Sequence, residues 1–308
     1  MRFPPVLLSG LILVLAIGGT AGIFVGCGDS GNESPPPAVT VATTLPLFAD
    51  MVHEIGRERV EVLTVVPADE NPHSFKPSAD ELERVGDVGL VLYNGLDLEA
   101  SFEQLLFENK RRGAQIIAFS RDVASPTVDG QTAFEAKDNP HLWLDPLLAL
   151  TYADTVADSL AIVDGAASST YMDNLREYKA RLRALDEEIA ATVDSIPKDK
   201  RKLVTFHDSF VHFADRYGFD VIGVVSPAAG EPSSEKLGEI REAIKSQGVA
   251  AVFAEAGFDA GPMEQLAADA GVRLCTLYSD VLGAEVKTYV EMMRRNAEEL
   301  VDCLAGQD

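Results

Sequence analysis

The chain has 308 residues, 46% of them hydrophobic and 24% charged, so it is too long for one ordinary domain and too apolar for wholesale disorder. Lys and Arg number 26 against 49 Asp and Glu, a net charge of −23. Such a surface repels phosphate backbones, which argues against nucleic acid as a ligand, and it suits a protein that gathers cations.

Met1-Arg2 supplies one positive charge, and no charged residue occurs from Phe3 to Gly26. The run Leu11-Ile12-Leu13-Val14-Leu15-Ala16-Ile17 has the character of an export signal. It leads to Phe24-Val25-Gly26-Cys27, which resembles the lipobox of bacterial lipoproteins, although Phe24 stands where that pattern usually has Leu. The reading is a signal peptide over 1–27 with lipidation at Cys27. The alternative is an uncleaved anchor, since roughly 20 apolar residues span a bilayer. Either places the remainder outside the cytoplasm, lipid-anchored or membrane-anchored. Residues 28–38, without a large apolar residue and carrying the run Pro35-Pro36-Pro37 near their end, read as a flexible and then extended tether.

From Val39 onward, short apolar runs alternate with amphipathic stretches. Val39–Ala42, Val60–Val66, Val88–Tyr93 and Ile116–Phe119 read as strands. Ser78-Ala79-Asp80-Glu81 is a capping box that starts a helix, and Asp145 caps another at Pro146. The second half repeats the scheme with strands at Leu203–Phe206, Val221–Val225, Ala250–Phe253 and Arg273–Leu277. Between the halves, Tyr171, Leu175, Tyr178, Leu182, Leu185, Ile189, Val193 and Ile196 recur at helical spacing with no Gly or Pro from Ser169 to Ile196. This predicts one amphipathic helix about 42 Å long, stopped by Pro197. The fold class is therefore α/β: two lobes with mostly parallel sheets, 39–168 and 198–308, joined by one long backbone helix within 169–197. A helix is stiffer than a loop hinge, so lobe closure is expected to be small.

In open α/β sheets, ligands bind beyond the carboxyl ends of the strands. The polar residues there are distinctive. Asn71-Pro72-His73 follows the second strand, Asn139-Pro140-His141 follows the fourth, His207 follows Leu203–Phe206 directly, and Asp280 follows the last strand. Each half thus offers two candidate metal ligands, and three imidazoles with one carboxylate suit a borderline divalent cation. Glu255 also follows a strand and is a candidate to orient a ligand from behind. His53 and His212 read as structural, and Asp145 and Asp208 as helix caps.

These segments resemble the zinc and manganese solute-binding lipoproteins of bacterial ABC-type metal importers. The resemblance runs from about Val39 to the C-terminus and is carried by Pro67–Pro77 around Asn71-Pro72-His73, Tyr93-Asn94-Gly95-Leu96, Pro140–Pro146, His207-Asp208-Ser209-Phe210, Glu231-Pro232-Ser233 and Tyr278-Ser279-Asp280. It implies one ion held by His73, His141, His207 and Asp280 between two lobes, with a membrane permease and its ATPase as partners of a monomer. A His at the third position accompanies zinc in that family and a Glu accompanies manganese, so His207 points to zinc, with manganese or iron import as the alternative. Zinc members often carry a His-rich loop before the second ligand; here Arg121–Asn139 has no His but the acids Asp122, Asp129, Glu135 and Asp138. Outside the cytoplasm thiols tend to pair, and some relatives have a comparable bridge, so a disulfide between Cys275 and Cys303 is expected; two separately buried thiols are the alternative.

Two other classes compete with a metal-delivery protein. A secreted zinc hydrolase needs an open coordination position and a general base, yet four protein ligands close the site and no His-Glu-x-x-His motif is present. A surface adhesin with incidental metal binding is compatible with the composition. The expectation is a binding protein and not an enzyme.

Overall fold

The computed structural model describes residues 37–68, 70–122, 127–128, 131–132, 139–226, 230–283 and 285–305. The export segment with Cys27, the tether up to residue 36, the side chain of Asp122, and the loop acids Asp129, Glu135 and Asp138 lie outside the described residues.

The first half builds β1 (Val39–Thr43), α1 (Pro46–Gly56), β2 (Val60–Thr64), α2 (Ala79–Asp87), β3 (Leu90–Tyr93), α3 (Glu103–Asn109) and β4 (Gln115–Ala118). Its four strands form one parallel sheet in the order β2-β1-β3-β4, with Val41 level with Val62 on one side and Leu90 on the other. β1 and β3 are buried almost throughout, as parallel strands covered on both faces must be. A short hairpin of β5 (Thr127–Val128) and β6 (Gln131–Thr132) follows in the stretch read as loop. The capping box at Ser78 and Glu81 forms at the start of α2, and Asp145 accepts from Leu147 N–H at 2.8 Å at the start of α4 (Pro146–Val163).

The connecting helix α5 runs Ser168–Val193, 26 residues, or about 39 Å at 1.5 Å per residue. It ends one turn before Pro197. Ser195 and Ile196 bond back three residues instead of four, as expected where a proline excludes the helical conformation from the residue before it. Its apolar face is buried as the periodicity requires. Asp186 is also buried, although its sequence position reads as a solvent face; Arg216 and the Tyr217 hydroxyl hold it.

The second half follows with β7 (Lys202–Thr205), α6 (Val211–Tyr217), β8 (Asp220–Val224), α7 (Ser234–Gln247), β9 (Ala251–Glu255), α8 (Gly261–Ala270), β10 (Arg273–Leu277) and α9 (Tyr289–Leu304). Its parallel sheet has the order β10-β9-β7-β8. Read from its own first strand, that is the arrangement of the first sheet reversed in listing: second, first, third, fourth. The two lobes are therefore topological repeats. A disulfide joins Cys275 on β10 to Cys303 on α9, with Cα atoms 6.7 Å apart. One hydrophobic core runs from Val41 and Leu92 through Tyr178 and Leu182 to Leu203, Phe253 and Leu300, so the inner faces of both sheets pack on the same helices.

Candidate metal centre

The two Asn-Pro-His segments fold alike. Asn71 Oδ1 accepts from His73 N–H at 2.9 Å, and Asn139 Oδ1 accepts from His141 N–H at 3.0 Å. Each is an Asx turn bridging a proline, which lacks the competing N–H and fixes φ. The turn aims the imidazole back over the carboxyl edge of the sheet.

The second copy is supported from below. Asn94, at the end of β3, donates through Nδ2 to Pro140 O at 2.9 Å and accepts the Tyr152 hydroxyl at Oδ1. Glu99 holds that corner by accepting from Thr44 Oγ1 at 2.6 Å, Asn94 N–H at 2.9 Å and Gly95 N–H at 3.0 Å. Burial pushes Glu99 up to about 7, and these three donors oppose it. Gly95 is needed there: its φ is +80°, and a Cβ would come 2.5 Å from Ser120 Oγ.

His207 and Glu255 meet because of sheet register. Thr205 on β7 pairs with Phe253 on β9, so the residues two further along come level at the switch point of the second sheet. Glu255 is the last residue of β9, pairing with Leu277, where a position after the strand was expected. Its Oε1 accepts from His207 N–H at 2.8 Å and its Oε2 from Ser209 Oγ at 2.8 Å. The same Oε2 stands 2.9 Å from His207 Nδ1, an ion-pair approach bent away from hydrogen-bond geometry. Phe258 lies on the His207 ring at 4.7 Å between centroids. Asp280 follows β10; behind it, Asn296 of α9 takes Tyr278 N–H at 2.8 Å and donates to Tyr278 O at 2.7 Å.

The structure brings His73, His141, His207 and Asp280 together. His141 Nε2 is 3.3 Å from His73 Nε2 and 3.0 Å from His207 Nε2. Asp280 oxygens stand 3.4 Å from His141 Nε2, 3.5 Å from His73 Nε2 and 3.4 Å from His207 Nε2. A cation bonded at about 2.1 Å to four tetrahedral donors separates them by about 3.4 Å. Among the described residues, neither Asp280 oxygen has a hydrogen-bond partner in proper geometry, although the side chain is fully buried. Such a carboxylate is costly unless a cation compensates it. His73 is 18% exposed and the other three donors at most 3%, so the site faces solvent on the His73 side.

Burial disfavours charge on His207, but Glu255 and Asp280 outweigh it and push its pKa up to about 10. Burial alone would raise Asp280; the neighbouring His207 and His141 instead hold it well below the usual carboxylate range. Burial drives His141 well below 6.5 against the pull of Asp280. With no ion bound, the two carboxylates thus favour a proton on His207.

The remaining sequence candidates fall elsewhere. His53 is exposed on α1, and His212 is buried with Nε2 3.1 Å from Asn139 O. Asp208 does not cap α6, whose N-cap is Phe210 without a side-chain bond. The cap assignment fails because the chain makes a turn between β7 and the helix. Sequence reasoning missed Asn139, Asn94, Glu99 and Trp143 as supports. The two asparagines stood inside noted motifs, whereas Glu99 carries no local signal.

The family model described as zinc-uptake complex component A, periplasmic, matches residues 41–303. A manganese-binding lipoprotein, MntA, of Halalkalibacterium halodurans is 28% identical over 305 residues, covering 96% of this chain and 98% of the relative. An iron ABC transporter substrate-binding lipoprotein, MtsA, of Streptococcus pyogenes serotype M1 is 26% identical, covering 96% and 99%. Among solved structures, the periplasmic zinc binding protein TroA from Treponema pallidum superposes with a TM-score of 0.78 at 28% identity, over 87% of this chain and 99% of its own. Two parallel-sheet lobes around a long helix, with a profile match spanning most of the chain, make this protein a member of the ZnuA family.

Proposed function

We propose that this protein captures one divalent transition-metal ion outside the cytoplasm and hands it to an ABC-type permease driven by its ATPase. The observation that carries the reading is the set of three imidazole Nε2 atoms and one buried, unpartnered carboxylate at tetrahedral separations. His73, His141, His207 and Asp280 are the ligands, and Glu255 orients His207. Four protein donors fill a tetrahedron and leave no position for an activated water, which favours holding an ion over hydrolysis. The lobes 39–168 and 198–308 each supply two ligands, and 169–197 joins them.

Zinc is the proposed cargo. Tetrahedral spacing and a mostly imidazole donor set suit it better than manganese, which prefers more oxygen ligands. Manganese or iron is the second reading, supported by the names of two relatives. The lipoprotein relatives support anchoring through Cys27, so that the domain works as a monomer close to its permease.

The test is competition between zinc and manganese for the full-length protein after chelator stripping. Zinc bound at one per chain, displaced only by a large manganese excess, is the expected result. Slow manganese release would favour the second reading. No stoichiometric binding of either would remove the site.

A further inference from the structure

Asn139 is tied to both halves of the molecule through every polar atom of its side chain. Its Oδ1 accepts from His141 N–H at 3.0 Å and from His141 Nδ1 at 2.9 Å. Its Nδ2 crosses to the second half and donates to Asp208 O at 2.6 Å, the carbonyl immediately after His207. Its own carbonyl accepts from buried His212 Nε2 on α6 at 3.1 Å. The amide orientation is unambiguous: reversed, it would set a donor against His141 N–H and an acceptor against Asp208 O.

We propose that Asn139 is a positioning residue that fixes the His141 tautomer and sets the spacing between His141 and His207, and thereby governs how fast the ion leaves. The inference rests on the metal-site reading above. An amide oxygen only accepts, so His141 Nδ1 carries the hydrogen and Nε2 presents its lone pair to the site. The crossing bond to Asp208 O anchors the same side chain beside the neighbouring ligand, where the two Nε2 atoms are 3.0 Å apart. The 139–141 turn is therefore carried by the second half as much as by the first. Loosening that spacing weakens the hold of His141 and His207 on the ion, and Asn139 opposes the loosening.

The test uses full-length protein loaded with one zinc per chain. Zinc release into excess chelator is timed, and after stripping the His141 Nδ1 proton is followed by nitrogen-15 NMR in the metal-free protein, where no bond from Nε2 to a metal dictates the tautomer. Asn139→Ala is expected to release zinc about 10–100-fold faster and to lose the slowly exchanging Nδ1 proton. Asn139→Asp keeps both acceptor contacts to His141 but places a carboxylate against Asp208 O. It should retain the Nδ1 proton and still release zinc faster than the parent. Release within about twofold of the parent in both variants would overturn the proposal, even if the thermal midpoint of the metal-free protein fell. Retention of the Nδ1 proton in Asn139→Ala would overturn the tautomer assignment. A parent that binds no zinc at one per chain would overturn the metal site itself, and the positioning role with it, whereas a binding parent with unchanged variants overturns the positioning role alone.

Discussion

The indole Nε1–H of Trp143 donates to the carbonyl of Ser279 at 2.8 Å. Trp143 lies two residues after His141, and Ser279 immediately before Asp280. One buried bond thus fixes the His141 turn of the first half against the Asp280 turn of the second. The Tyr289 hydroxyl backs it by donating to Trp143 O at 2.7 Å.

Trp143→Phe removes the donor and leaves the buried Ser279 carbonyl unpaired, so it should cost about 1–3 kcal/mol of stability, with a further loss from the smaller ring. Denaturant unfolding of the metal-free protein measures this. Zinc affinity should fall as well, because His141 and Asp280 lose their common brace. A variant as stable as the parent would show that the bond adds nothing to the fold.

Substituting a ligand should separate binding from folding. His73→Ala removes the most exposed donor and is expected to weaken zinc binding by orders of magnitude while leaving the secondary structure by circular dichroism intact. In the parent, zinc at a thousandfold excess over its Kd should add about 4 kcal/mol to unfolding stability, and His73→Ala should lose most of that gain at the same zinc concentration. Undiminished affinity would exclude His73 from the site.

Proton release should accompany binding. His207 is held up to about 10 by Glu255 and Asp280 against the opposing effect of burial, so near neutral pH an incoming cation must displace its proton. Apparent zinc affinity should rise about tenfold per pH unit between 6 and 8, and calorimetry in buffers of different ionisation enthalpy should give about one proton released per zinc. For the metal-free fold the sign is opposite. A raised pKa stabilises it fully below the ordinary value of 6.5, and that contribution fades as pH climbs through about 10. Glu255→Gln removes one of the two charges and should lower the number of protons released at pH 7.5.

The Cys275–Cys303 disulfide closes a loop with a sequence separation of 28. Loop entropy alone gives it about 3–4 kcal/mol at that length. Reduction should lower the unfolding midpoint correspondingly. Its effect on zinc affinity should be smaller, because Asn296 still clamps Tyr278 beside Asp280. A large loss of affinity on reduction, with little change in stability, would contradict that division of roles.

The four clustered residues were legible because each follows a strand, and strand ends can be read from apolar runs bounded by Pro, Asn and Asp. His73 and His141 also advertise themselves through a repeated tripeptide whose turn is local. What joins them is not local. The level placement of His207 and Glu255 depends on the pairing of β7 with β9, and the bonds from Asn139 to Asp208 and from Trp143 to Ser279 span separations of 69 and 136 residues. Asp186 misled for the same reason: its partners Arg216 and Tyr217 lie on another helix, so its burial has no signature in the periodicity of α5. Topological equivalence was only half visible. His141 and Asp280 follow the fourth strand of their sheets, whereas His73 follows a second strand and His207 a first.

The core shared by both sheets, beside which the second half has a smaller one of its own around Val204 and Ile240, also governs the order in which the protein can be made. Tyr289 N–H of α9 bonds Asp50 on α1 at 2.9 Å, a contact closing 239 residues, and the faces of α5 are completed only when α9 packs on them. A chain emerging amino end first cannot finish its first lobe until nearly the last residue has arrived. Completion of the shared core therefore depends on distant contacts, and a chain lacking α9 leaves apolar surface of that core uncovered. A truncation that deletes α9 should cripple both halves at once, including the one that is complete in sequence.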